Sequence, residues 1–119
     1  MHSPLISVYL PTHNRVDRLK RAVESVINQT YKNWQLIIVD DGSEDKTSEY
    51  LKQLKSTEAR VVVLTHAHPL GACKARNSAI DVALGEFITG LDDDDAFTAD
   101  RLSYFIKNWT EGYSSLCTP

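Results

Sequence analysis

Short apolar runs alternate along the chain with longer stretches whose apolar positions recur every three or four residues. Leu5-Ile6-Ser7-Val8-Tyr9-Leu10 is the first run, closed by Pro11, which cannot donate to a ladder and suits a strand end. Trp34-Gln35-Leu36-Ile37-Ile38-Val39 and Arg60-Val61-Val62-Val63-Leu64-Thr65 are the second and third, and Glu86 to Leu91 the fourth. Such β-branched, nearly all-apolar runs suit parallel strands covered on both faces. Between them lie helical patterns. Val16, Leu19, Ala22, Val23, Val26 and Ile27 share one face, opposite Arg18, Lys20, Arg21 and Glu24, and the pattern ends near Gln29. Thr47, Tyr50, Leu51 and Leu54 mark a second helix. A third, from Ala72 to Leu84, carries a stripe of Ala72, Ala75, Ala79 and Ala83 that would let it lie close to a sheet. Leu102, Phe105, Ile106 and Trp109 mark a fourth.

Punctuation residues fit these bounds. Asn14, Ser43 and Thr98 are expected as N-caps of the first, second and fourth helices. Gly85 is expected as the C′ residue of the third, and Gly112 ends the fourth. Ser114-Ser115-Leu116-Cys117 has the look of a further strand's start. The order β-α-β-α-β-α-β-α predicts an α/β fold, an open, mostly parallel, Rossmann-like sheet with helices on both faces and right-handed crossovers. The polar clusters all follow strands: Pro11 to Arg15, Asp40 to Ser43, and Asp92 to Asp95. They would line the carboxyl rim, where such sheets bind ligands.

With 119 residues the chain is long enough for one domain, and 42% hydrophobic and 24% charged residues are ordinary for a globular protein. A net charge of -3 gives no basic footprint for nucleic acid. Cys73 and Cys117 are too few for a disulfide framework and read as reduced thiols of a cytosolic chain. Cys73 reads as a small core residue, and Trp34 and Trp109 as packing residues. No apolar run is long enough to span a bilayer.

The candidate chemistry is acidic. Asp92-Asp93-Asp94-Asp95 follows an apolar strand pattern, and adjacent carboxylates repel unless a cation relieves them. Mg²⁺ or Mn²⁺ takes carboxylate oxygens and leaves positions for substrate phosphates. A solvated acidic loop is the plainer reading. Asp40 and Asp41 add two acceptors at the rim, though a turn before the second helix is their plainer role. A carboxylate accepts hydrogen bonds only, so this rim suits a uracil N3–H, ribose hydroxyls or a metal-bridged phosphate. Arg15 and Lys74 are the nearby cations able to meet a phosphate directly. His66 and His68, in a loop with Pro69, read as locally hydrogen-bonded or solvated and not as a metal pair. No G-x-x-x-x-G-K-[ST] occurs, and no G-x-G-x-x-G follows the first strand, so a P-loop kinase and a dinucleotide fold are set aside. The four-aspartate run does not fit a phospho-acceptor receiver domain.

The whole chain resembles the N-terminal, nucleotide-binding half of a family 2 glycosyltransferase of the GT-A fold. The resemblance rests on Ile6-Ser7-Val8 through Pro11-Thr12-His13-Asn14-Arg15, then Ser25-Val26-Ile27-Asn28-Gln29-Thr30-Tyr31. It continues with Leu36-Ile37-Ile38-Val39-Asp40-Asp41-Gly42-Ser43, Gly71 with Ala75-Arg76-Asn77, Gly85-Glu86-Phe87-Ile88, and the aspartate run in the place of the family's DXD motif. It implies metal-dependent transfer of a sugar from a nucleotide-diphosphate donor, a UDP-sugar, to an acceptor hydroxyl, with inversion, in polysaccharide or glycolipid synthesis.

On this resemblance Pro11, Thr12 and His13 border the base and ribose, and Asp41 accepts from the uracil N3–H, with Asp40 less favoured. Arg15 and Lys74 belong to the nucleotide site. Asp92 and Asp93 face ribose and donor sugar. Asp94, with Asp92, holds Mn²⁺ or Mg²⁺. His13 stands where a Tyr is common, and the all-acidic run leaves a register starting at Asp93 open. Arg76 and Asn77 are equally suited to structural or substrate contacts. The family's general base lies in the C-terminal half, so residues 1–119 are expected to form one donor-binding domain without it. The implied partners are a nucleotide-sugar donor and a saccharide or lipid-linked acceptor, at the cytoplasmic face of a membrane. An uncovered edge on the fourth strand is expected to favour self-association. A sugar nucleotidyltransferase would need a Gly-rich basic loop after the first strand, which Pro11 to Arg15 lacks. A non-catalytic nucleotide-binding domain is the remaining alternative.

Overall fold

The computed structural model describes residues 4–44, 46–92 and 95–110. Strands β1 (Ile6–Thr12), β2 (Trp34–Asp41), β3 (Val61–His66) and β4 (Phe87–Gly90) alternate with helices α1 (Val16–Ile27), α2 (Thr47–Thr57), α3 (Ala72–Val82) and α4 (Arg101–Thr110). The strands form one parallel sheet in the order β3-β2-β1-β4. This is the α/β architecture that the alternation predicts. Among the described residues β4 lies at a sheet edge, as expected.

Successive strand residues face opposite sides. Ile6, Val8, Leu10, Leu36, Ile38 and Val61 face one side and are buried under Leu19, Val23 and Val26 of α1, Leu51 and Leu54 of α2, and Leu102 and Phe105 of α4. Ile37 and Val39 face the other side and meet Ala75 and Ala79 of α3. The alanine stripe therefore does what its small side chains allow. Every residue of β2 is buried, because it is central and covered twice. Leu102, Phe105 and Ile106 of α4 face the core as expected, while the side chain of Trp109 lies outside the described residues.

The strands run further toward the rim than their apolar runs suggest. β1 includes Pro11 and Thr12, β2 includes Asp40 and Asp41, and β3 includes His66, which the sequence places in a loop. Parallel pairing extends them: Thr12 pairs with Asp40, and Asp41 with His66. Pro11 is tolerated in a central strand for a simple reason. Leu91 N donates to Tyr9 O at 3.0 Å, so Pro11, two residues on, turns its nitrogen to that same side, where β4 has already ended.

Four cap expectations need correcting. Asn14 is not the cap of α1; Arg15 occupies that position, and Asn14 adopts φ 52°. Ser43 does not cap α2, whose N-cap is Lys46. The hydroxyl of Thr98 turns to Asp100, and α4 is capped by the buried Gln29, whose Oε1 accepts from Leu102 N at 2.9 Å. Gly85 is not a C′ glycine, since α3 ends at Val82 with Ala83 as its C-cap. A Cβ on Gly85 would lie 2.6 Å from Ser7 N and 2.8 Å from Leu5 O. The segment from α3 into β4 has to press on β1. Gly85 N donates to Ser7 Oγ, whose hydroxyl donates to Gln35 Oε1, each at 2.8 Å. Cys73 is exposed on α3 and is no core residue. Trp34 is buried as predicted, with the Arg60 guanidinium stacked 3.7 Å from its ring centre. The expected strand start at Ser114 to Cys117, with Gly112 before it, lies outside the described residues.

Candidate functional site

The carboxyl ends of the strands assemble two neighbouring features. The first is built where β1, β2 and β3 end. Consecutive strand residues point oppositely, so Asp40 and Asp41 part company. Asp40 faces α2, is 2% exposed, and its Oδ1 accepts from Ser43 N at 3.1 Å. It thus organises the turn after β2, and it lines a hollow of about 210 Å³ with Lys52, Lys55 and Thr65.

Asp41 faces α3. Its Oδ1 accepts from His66 Nδ1 at 2.8 Å and from Leu70 N at 2.9 Å, and its Oδ2 accepts from Gly71 N at 2.9 Å. The side chain keeps 10% of its surface. Burial by itself would raise this carboxyl's pKa, but the Leu70 amide, His66 and the Gly71 amide outweigh it and hold the group below the ordinary carboxylate value. The far nitrogen of His66, Nε2, lies 3.0 Å from Ser78 Oγ on α3. His66 is therefore locally hydrogen-bonded, as the sequence suggests, while His68 is exposed.

The loops after β1 and β2 are clasped together. His13 Nδ1 donates to the Asp41 carbonyl at 2.7 Å, which leaves Nε2 as an acceptor for Asn14 Nδ2 at 3.3 Å. Asn14 N donates to Ser43 Oγ at 2.9 Å, and Asn14 Oδ1 accepts from Glu44 N at 2.6 Å. The left-handed backbone at Asn14, which this residue type tolerates, aims both groups at the second loop. Gly42 has φ 73°, and a Cβ there would lie 2.7 Å from Pro69, so the loops after β2 and β3 also touch.

The second feature is a cleft of about 470 Å³ between β1 and β4, where the strand order reverses. Tyr9, Leu91, Asp92, Asp95, Phe97 and Arg101 line it. The Tyr9 ring lies over Gly90; a Cβ on Gly90 would come within 2.5 Å of it. Asp92 and Asp95 are exposed at its lip, and Asp95 N donates to the Asp92 carbonyl at 3.0 Å. Their carboxylates are hard oxygen donors of the kind Mg²⁺ or Mn²⁺ takes, so the donor type fits. Among the described residues no group of three potential ligands gathers. Asp93 and Asp94 lie outside the described residues.

The rim thus brings together Pro11, His13 and Asp41, while Thr12, paired with Asp40, is buried on the opposite face. Asp40 sits on the opposite face from Asp41, Arg15 is exposed at the start of α1, and Lys74 is exposed in the first turn of α3, just after Gly71. Arg76 and Asn77 are exposed on α3. The sequence does not announce Asp41 as the partner of His66, the clasp made by Asn14 or the cap supplied by Gln29. Pairing of His66 with Asp41 depends on the β2–β3 register, and no local pattern encodes it.

The profile described as "Glycosyl transferase family 2" matches residues 7–119. The chain is 45% identical over 109 residues to the putative colanic acid biosynthesis glycosyl transferase WcaA of Escherichia coli K12, covering 90% of this chain and 38% of that protein. It is 38% identical over 112 residues to the Escherichia coli UDP-Glc:alpha-D-GlcNAc-diphosphoundecaprenol beta-1,3-glucosyltransferase WfgD, covering 91% of this chain and 44% of that protein. The chain therefore spans less than half the length of these relatives. Among solved structures, Staphylococcus aureus TarS in complex with UDP superposes with a TM-score of 0.82 at 26% identity, over 89% of this chain and 32% of that one. A Pyrobaculum calidifontis mannosyltransferase in complex with GDP-Man and Mn²⁺ superposes with a TM-score of 0.82 at 22% identity, over 89% of this chain and 32% of that one, a likeness of fold.

Proposed function

Because this chain belongs to glycosyl transferase family 2, we propose that it is the donor-binding part of an enzyme that moves a sugar from a UDP-sugar to an acceptor hydroxyl. The observation that carries the reading is the placement of Asp41 and Asp92 at the ends of β2 and β4, on either side of β1. Asp41 is ionised and acceptor-only, with one position of Oδ2 left for the uracil N3–H. Pro11, Thr12 and His13 border the base and ribose beside it. From the cleft lip Asp92 faces the ribose and donor sugar, a role that Asp93 would share.

Asp92 and Asp94 would hold Mn²⁺ or Mg²⁺. When bound, such an ion supplies positive charge against the diphosphate and the leaving nucleotide. The chain's own residues position the donor: Arg15 and Lys74 meet phosphate oxygens, and Tyr9 and Phe97 wall the cleft against water. The TarS complexes with UDP and UDP-GlcNAc and the UDP-Glc specificity in the name of WfgD support a uridine donor. The mannosyltransferase complex with Mn²⁺ is in keeping with the metal. The diphosphoundecaprenol in the name of WfgD, and the colanic acid biosynthesis in that of WcaA, support a lipid-linked saccharide acceptor. Transfer with inversion, by a base outside residues 1–119, completes the reading.

The test is competitive binding of UDP and CDP. Cytosine has no proton at N3, so CDP should bind more weakly by about 1–3 kcal/mol, the cost of an unpaired charged acceptor. Asp41→Ala should close the gap. Equal binding of the two nucleotides by the unaltered chain would overturn the base assignment.

A further inference from the structure

We propose that His66 is a positioning residue for nucleotide choice, fixing which oxygen of Asp41 stays open and keeping that carboxylate an acceptor. The inference rests on the assignment of Asp41 to the uracil N3–H. It follows from counting lone pairs. An ionised carboxylate donates nothing, so His66 Nδ1 carries a proton toward Oδ1. With Leu70 N as a second donor, both in-plane positions of Oδ1 are filled. Oδ2 has Gly71 N and one position left. The base therefore meets a single acceptor at a single place.

The ring is held at both ends. Nε2 lies 3.0 Å from Ser78 Oγ, and that hydroxyl lies 3.0 Å from the Lys74 carbonyl, in the first turn of α3. α3 begins directly after Gly71, its N-cap, whose own amide holds Oδ2. One short relay, Asp41–His66–Ser78, thus ties the base-reading carboxylate to the helix it faces.

Removing the Nδ1 donor has two consequences. Oδ1 gains an open position, so the carboxylate is no longer in one register. The carboxyl also binds a proton more readily, and a protonated carboxyl can donate to cytosine N3, the contact that an anion forbids. The groups that face Asp41 are His66 from β3, the Leu70 and Gly71 amides before α3, and His13 on its carbonyl from the loop after β1. Among the described residues His66 supplies the side-chain hydrogen bond to the carboxylate.

The discriminating experiment compares His66→Asn with His66→Gln. The Asn amide replaces the Nδ1 donor, whereas the Gln amide falls near Nε2. Calorimetric Kd values for UDP and CDP are measured for each, with Mn²⁺, at neutral pH and about one pH unit lower. His66→Asn should keep the unaltered chain's UDP-to-CDP ratio. His66→Gln should lower it about tenfold, one charge-assisted hydrogen bond, with a further fall at the lower pH. A ratio unchanged in His66→Gln, with both affinities held or both reduced alike, overturns the role of His66 while leaving the Asp41 reading intact. No UDP preference in the unaltered chain would instead remove the Asp41 reading itself.

Discussion

Gln29 Oε1 accepts a hydrogen bond from the Leu102 amide at 2.9 Å, across 73 positions of sequence. Leu102 is the second residue of α4, so its amide has no partner within the helix. The same Gln29 side chain donates through Nε2 to the carbonyls of Ser25 and Thr98, at 2.9 and 2.6 Å. One fully buried amide thereby joins the end of α1, the start of α4 and the segment that leads from the cleft. Ser25 Oγ reinforces the joint by accepting from Phe97 N at 3.0 Å.

Gln29→Ala should therefore destabilise the fold by about 1–3 kcal/mol, the cost of leaving buried amide and carbonyl groups unpaired. Urea denaturation reads this directly. Because Phe97 and Thr98 line the cleft, the same variant should also weaken nucleotide binding. A stability within about 0.5 kcal/mol of the unaltered chain, the range of a neutral surface change, would show that the cap is dispensable.

Asp41 should make stability depend on acidity. Its pKa is depressed in the folded state, so its contribution is present above the unfolded value of about 3.9 and disappears as pH falls through the folded value. Asp41→Asn should cost about 1.5–3 kcal/mol at neutral pH and flatten the acid decline. The slope should shrink without vanishing, since the Arg60 guanidinium also lowers the pKa of Glu58. Urea midpoints measured from neutral pH down to the acid limb check this. Equal acid slopes for the two proteins would contradict the paired, ionised Asp41.

Much of this fold was legible in the residues. Apolar runs gave four strands in order, because strands buried on both faces leave no room for polar positions. The alanine stripe of α3 likewise announced a close helix–sheet contact, made by Ala75 and Ala79. What failed was punctuation. Asn14, Ser43 and Thr98 are good caps by type, but their side chains answer distant loops or neighbours instead of helix amides. Gly85 shows the same limit, since a glycine required by close approach to β1 looks in sequence like one that ends a helix. The rim aspartates were visible as a set, yet only register shows that Asp40 and Asp41 serve opposite faces. The pairing of Asp41 with His66 was beyond reach for that same reason.

On the proposed reading the acidic rim binds a nucleoside diphosphate through a divalent cation. Calorimetric titration of the chain with UDP, once with Mn²⁺ and once with a chelator, decides this. Binding should be at least about tenfold tighter with the metal, or roughly 1.4 kcal/mol, and Asp94→Asn should erase most of that difference without unfolding the chain. Equal affinity for UDP with and without Mn²⁺ would rule out a metal-bridged diphosphate.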